Sequence, residues 1–220
     1  LVGSEMCIRD RHTDYIARLK KFGFDVTSDE IYTSGQVACE YLLDNFRGKK
    51  VYLLGNDRLR AEFADYGIKV VDDDPDIAVI GFDTSLTYDK LYKFCKYVND
   101  GLPYLATHPD YFCPAEGCPL PDIGAFIEAI RLTVGRSPDV IMGKPHKTAG
   151  ERICIRYGLP PEKIAMVGDR LYTDIAFGVN CDFVSVLVLS GETDAEMAEQ
   201  SDIKADIVLD AVRDIPALLD

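Results

Sequence analysis

The apolar run Lys163-Ile164-Ala165-Met166-Val167, closed by Gly168-Asp169-Arg170-Leu171-Tyr172-Thr173-Asp174-Ile175, constrains this chain more than any other stretch. Bounded by Pro160-Pro161 and by Gly168, it predicts a short buried strand of a parallel sheet. In open α/β sheets, ligands gather in the crevice beyond the carboxyl ends of the strands. Asp169 falls at such an end, and Asp174 is expected to open the next helix with Thr173 as its N-cap. Two carboxylates on one loop offer the oxygen ligands that Mg²⁺ takes in a near-octahedral shell. The same residues also suit a capped helix with two solvated acids.

A second strand end lies one βα unit upstream. Val140-Ile141-Met142 runs into Gly143-Lys144-Pro145, and helical spacing follows at Ile153 and Tyr157. A lysine fixed there can neutralise a phosphoryl oxygen as a compact point charge. A surface lysine in a turn is the simpler alternative. Together, the strand-end lysine and the strand-end carboxylate pair suit phosphate and metal bound side by side.

The rest of the chain alternates between strands and helices. Helices are predicted at 13–22, 57–66, 88–98, 123–134 and 147–157, and strands at 51–54, 68–71, 77–82 and 103–107. That order implies mostly parallel sheets with right-handed crossovers. Asp72-Asp73-Asp74-Pro75 reads as a solvated acidic loop ahead of a metal site. Hydrophobic content of 47% and charged content of 28% are those of an ordinary globular protein. A net charge of −13 argues against a nucleic-acid partner, whose binding needs clustered cations. It also sits awkwardly with an anionic substrate, unless a bound cation with Lys144 and Arg170 reverses the local potential. No apolar run approaches the roughly 20 residues of a membrane span. Seven scattered cysteines point to reduced thiols in the cytoplasm, and Cys113 and Cys118 lack the second ligand pair that zinc needs. Residues 1–11 show no apolar period, look like translated adapter sequence, and are set aside as a non-native scar.

Gly143-Lys144-Pro145 followed by Gly168-Asp169-Arg170-Leu171, then Thr173-Asp174-Ile175, resembles the third and fourth motifs of the haloacid dehalogenase superfamily. The match is best to its class IIA branch, the NagD-like and para-nitrophenylphosphatase type. Further similar stretches occur in the same order. Ile31-Tyr32-Thr33-Ser34-Gly35 resembles the passage into that branch's cap. Ala106-Thr107-His108-Pro109-Asp110 and Pro121-Asp122-Ile123-Gly124-Ala125 resemble landmarks within the cap, and Ala205-Asp206-Ile207-Val208-Leu209 the final strand.

The resemblance implies a Rossmann-like parallel-sheet core over 12–35 and 138–220, with an inserted α/β cap over 36–137. It implies a Mg²⁺-dependent phosphatase that hydrolyses a small phosphorylated metabolite through an aspartyl-phosphate. Asp169 would ligate Mg²⁺, Asp174 would support the metal shell, and Lys144 would bridge phosphoryl group and nucleophile. Thr107, His108, Pro109 and Asp110 would form the cap's substrate-facing loop, with Asn the residue expected at 108. Family caps often pair, which leaves a homodimer through the cap open. The family's nucleophile motif, Asp-x-Asp-Gly on the first strand, is not found, nor is the Thr or Ser of the second strand. Asp10 is no substitute, because no strand precedes it. The resemblance therefore implies at least one upstream βα unit, on the order of 30 residues, with the chain as given inactive. The alternative is a non-catalytic module that binds a phosphometabolite or a metal.

Overall fold

A computed structural model describes residues 12–113 and 117–218; the suspected scar at 1–11 lies outside the described residues. These residues form two compact units, one ending at Gly143 and one starting at Lys144.

The first unit opens with helices α1 (His12–Lys21) and α2 (Ser34–Asn45). Then come strand β1 (Lys50–Leu54), helix α3 (Asp57–Asp65), and strands β2 (Lys69–Val70) and β3 (Ile77–Ile80). Helix α4 (Tyr88–Asn99) leads to β4 (Tyr104–Ala106) and an antiparallel pair, β5 (Phe112–Cys113) and β6 (Leu120–Pro121). Helix α5 (Ile123–Val134) and strand β7 (Val140–Ile141) complete the unit. Five strands make one sheet in the order β2-β1-β3-β4-β7, every pairing parallel. Its interior explains the apolar runs. Leu54, Ala78, Ile80 and Ala106 on the strands pack with Phe94 and Val98 of α4 and Ile123, Ile127 and Ile130 of α5. Burying each large side chain of this set stabilises the fold by about 1.5–3 kcal/mol.

Local chemistry sets the element ends. Thr33 caps α2 by accepting from Gln36 N, while Gln36 Oε1 accepts from Thr33 N in return. Gly135 ends α5 at φ 72°, a left-handed conformation in which glycine carries no Cβ penalty. The acidic loop is solvated, yet each acid has a cation: Arg60 for Asp72, Lys93 for Asp73, Lys50 for Asp74 and Lys49 for Asp76. Asp76 also accepts from Lys50 N, which ties the start of β3 to β1 and holds the carboxyl below its ordinary range.

The second unit contains α6 (Lys147–Tyr157), β8 (Ala165–Gly168), α7 (Ala176–Asn180), β9 (Val184–Val188), α8 (Ala195–Gln200) and β10 (Ile207–Leu209). Its sheet runs β10-β9-β8, again parallel. Leu171, Ile175 and Leu187 form a core between the sheet and the segment that carries α8. Phe177 and Phe183 meet edge to face. Among the described residues, Cys39, Cys95, Cys118, Cys154 and Cys181 are free thiols.

Candidate active site

The site begins where β8 stops. Its register with β9, Gly168 opposite Leu187, opens the loops after both strands at the same end of the sheet. Asp169 therefore leaves β8 beside the Ser190-Gly191-Glu192-Thr193 loop that follows β9. Asp169 Oδ2 accepts from Glu192 N at 2.7 Å, and its carbonyl accepts from Thr193 N at 3.1 Å. Among the described residues, Oδ1 of Asp169 has no hydrogen bond.

The next turn differs from expectation. Thr173 is not an N-cap, and Asp174 does not open a helix. The helical segment starts earlier, as a π-helical turn over Leu171–Ile175 that runs into α7. Asp174 N and Ile175 N both donate to Arg170 O, at 3.0 and 3.1 Å, so the wider turn is set by one shared acceptor. Such turns recur at functional sites because the extra residue re-aims side chains. Here the turn buries Asp174 to 1% exposure. Its Oδ1 pairs with Lys144 Nζ, and its Oδ2 accepts from Arg170 N at 3.3 Å.

Two glycines make room for these acids. A Cβ on Gly168 would stand 2.3 Å from Asp174 Cβ, and one on Gly191 would stand 2.1 Å from Asp169 Oδ2. Neither gap tolerates a side chain. Lys144 enters from the end of β7 through Gly143 and a cis bond to Pro145. His146 takes the N-cap position of α6 but makes no side-chain capping bond.

Arg170 does not supply free positive charge, because its Nε donates to Glu192 Oε2 at 2.6 Å. The other oxygen, Glu192 Oε1, accepts from Tyr172 OH at 2.9 Å. Asp169, Asp174 and Glu192 against Lys144 and Arg170 gives three negative and two positive charges, a local net of −1. Such a group attracts a cation before an anion. The donor set also fits a hard cation, with a free oxygen on Asp169, a buried carboxylate at Asp174, and glycines that bring backbone close.

The other expected site residues lie in the first unit. Thr107 and His108 are buried at 2% and 3% exposure, and both ring nitrogens of His108 are engaged. Nδ1 lies 3.0 Å from Thr107 Oγ1, and Nε2 lies 2.9 Å from Asp122 Oδ1. All three groups are satisfied when Nε2–H donates to Asp122 and Nδ1 accepts from the Thr107 hydroxyl. Asp122 also caps α5 by accepting from Ile123 N at 2.7 Å. His108 thus braces the loop from within. Pro109 and Asp110 are half-buried, and Gly124 N donates to Asp110 O at 2.8 Å.

Two family models match the chain. One, described as haloacid dehalogenase-like hydrolase, covers residues 9–69, and the other, described as HAD-hydrolase-like, covers 141–215. An acid sugar phosphatase of Staphylococcus haemolyticus is 32% identical over 84% of this chain and 70% of its own length. The chain belongs to the haloacid dehalogenase-like hydrolases. Among solved structures of the family, the 4-nitrophenylphosphatase of Thermotoga maritima superposes with a TM-score of 0.93 at 39% identity. That match covers 97% of this chain and 82% of the other. The p-nitrophenyl phosphatase of Archaeoglobus fulgidus gives a TM-score of 0.91 at 29% identity, covering 96% and 83%. These relatives place the chain in the NagD-like, para-nitrophenylphosphatase branch of the family, as a phosphomonoester hydrolase.

Glu192 and Gly191 escaped the sequence reading. The signal was there in part, since Gly191 closely follows the apolar run Val184-Ser185-Val186-Leu187-Val188. A loop after one parallel strand meets the loop after its neighbour, but the neighbour was unknown.

Proposed function

We propose that this chain carries the metal- and phosphate-binding apparatus of a Mg²⁺-dependent phosphatase acting on small phosphorylated metabolites, sugar phosphates among them. The observations that support it most are the pairing of Lys144 Nζ with Asp174 Oδ1 and the carboxylate of Asp169, whose Oδ1 has no hydrogen bond among the described residues. In this reading Asp169 and Asp174 hold the cation, and Lys144 passes from Asp174 to the incoming phosphoryl oxygens. A bound Mg²⁺ supplies Lewis acidity toward those oxygens. The backbone amides of Arg170, Glu192 and Thr193 keep the two acidic residues in register. Residues 12–35 and 138–220 would serve as core and 36–137 as cap, with Thr107, His108, Pro109 and Asp110 presented toward the substrate. His108 would act there through the loop it braces.

Within the 220 residues no Asp-x-Asp-Gly occurs, so the attacking carboxylate of the family is not supplied by this sequence. Accelerations of phosphate-monoester hydrolysis reach about 10²¹-fold, and a lysine with two metal-binding acids cannot replace the nucleophile. In this reading the 220 residues alone are expected to bind without turnover. The second reading is a non-catalytic module that binds a phosphometabolite or a metal. A chimera that prefixes the N-terminal segment of the Thermotoga maritima 4-nitrophenylphosphatase separates them. Mg²⁺-dependent release of phosphate from para-nitrophenyl phosphate by the chimera, and not by the 220-residue chain, supports the enzyme. A folded, Mg²⁺-binding chimera that stays inert supports the module.

A further inference from the structure

We propose that Glu192 is a positioning residue for the metal carboxylate Asp169, acting as a clamp between the loops after β8 and β9. This rests on the assignment of Asp169 as a metal ligand. The clamp has two halves. On its backbone side, Glu192 N donates to Asp169 Oδ2 at 2.7 Å and Thr193 N to Asp169 O at 3.1 Å. On its side-chain side, Glu192 Oε2 accepts from Arg170 Nε at 2.6 Å and Oε1 from Tyr172 OH at 2.9 Å.

Each half needs the other. The backbone bond leaves one Asp169 oxygen free and fixes the direction in which it points. The bond is only as fixed as the loop that donates it, and residues 190–192 are exposed, with Thr193 the first buried position. Side-chain bonds from Arg170 and Tyr172 to Glu192 tie that exposed loop to the π-helical turn that carries Asp174. Glu192 thereby sets the position of one acid against the other. Arg170 lies mostly buried at 16% side-chain exposure, which strengthens the charged half of the clamp relative to a surface pair. Partners that orient a metal ligand typically change affinity 10–100-fold when removed.

The test is Mn²⁺ binding to the full 220-residue chain, followed by the loss of the free-ion electron paramagnetic resonance signal, with thermal midpoints recorded in parallel. Wild type is expected to bind one Mn²⁺, and Asp169→Asn to lose it. Glu192→Ala is expected to weaken binding about tenfold. Glu192→Gln, which keeps an acceptor for Tyr172 and the backbone donor, is expected to recover part of that loss. Should Glu192→Ala unfold, Glu192→Gln and Tyr172→Phe carry the comparison, each expected to weaken binding severalfold with the fold intact. Wild-type affinity in folded Glu192 variants overturns the clamp while leaving the metal site standing. Wild type that binds no Mn²⁺ overturns the metal assignment itself and the clamp with it.

Discussion

Lys144 and Asp174, 30 residues apart in sequence, are joined directly through Nζ and Oδ1, and the acid is almost wholly buried. A buried carboxylate stays ionised only beside a cation or several donors. Here the cation is also the group proposed to receive phosphate, so structural and functional demands fall on one ammonium. Lys144→Met should leave Asp174 with Arg170 N alone and destabilise the second unit by about 2–3 kcal/mol, somewhat below the cost for a wholly buried pair because Lys144 is partly exposed. Urea denaturation of variant and wild type reads that difference; equal stability would show that the pair contributes nothing to the fold.

The two site glycines offer a sharper geometric test. Gly168→Ala pushes a methyl group into Asp174, and Gly191→Ala pushes one into Asp169 Oδ2, at the contacts of 2.3 and 2.1 Å given above. Each variant is expected to lower Mn²⁺ affinity about tenfold or more, because a displaced ligand cannot be recovered by a rotamer change. Alanine at either position with unchanged Mn²⁺ titration curves would mean the acids are placed differently from this description.

Asp206 predicts an acid-sensitive latch. Its Oδ2 accepts from both Ser185 N and Ser185 Oγ at 2.8 Å, which joins the approach to β10 with β9. Those two bonds, the backbone one first, hold the carboxyl below its usual range. A depressed folded value means that the stabilisation is complete above the unfolded value near 3.9 and is lost as pH falls through the lower folded one. Asp206→Asn should lower the thermal midpoint by about 2–4 °C at pH 7, and the gap should close as pH drops below about 4. A gap that is constant with pH would assign the effect to something other than the charge.

In the first unit, Tyr104 is fully buried, and among the described residues its hydroxyl has no hydrogen-bond partner. The ring packs edge-on to Phe94, so phenylalanine keeps the contact and removes the unmet polar group. Tyr104→Phe should stabilise by about 1 kcal/mol, read as a higher thermal midpoint. Destabilisation would point to a role for that hydroxyl.

What could be read from the sequence depended on how far each signal reaches along the chain. Helices α5 and α6 were placed end to end because their stops, Gly135 and Gly158, are glycines in the left-handed conformation one residue past the helix. Lys144, Asp169 and Asp174 were singled out because strand-end punctuation marks them locally. The π-helical turn was not legible, since it depends on two amides sharing Arg170 O. The partner of β7 was not legible either, because pairing with β4 is set by packing 35 residues away. The bond between His108 Nε2 and Asp122, 14 positions on, was not legible either, because only the fold brings the two together. Glu192 carries no motif and gains its meaning from Arg170 and Tyr172 across the sheet end.

In the proposed site, Asp169 and Asp174 together hold a divalent cation. Calorimetric titration of Mg²⁺ into the 220-residue chain tests it most directly. One site per chain is expected, lost in Asp169→Asn and in Asp174→Asn while both variants remain folded. Binding that survives both substitutions, or no binding by the unaltered chain, would contradict it.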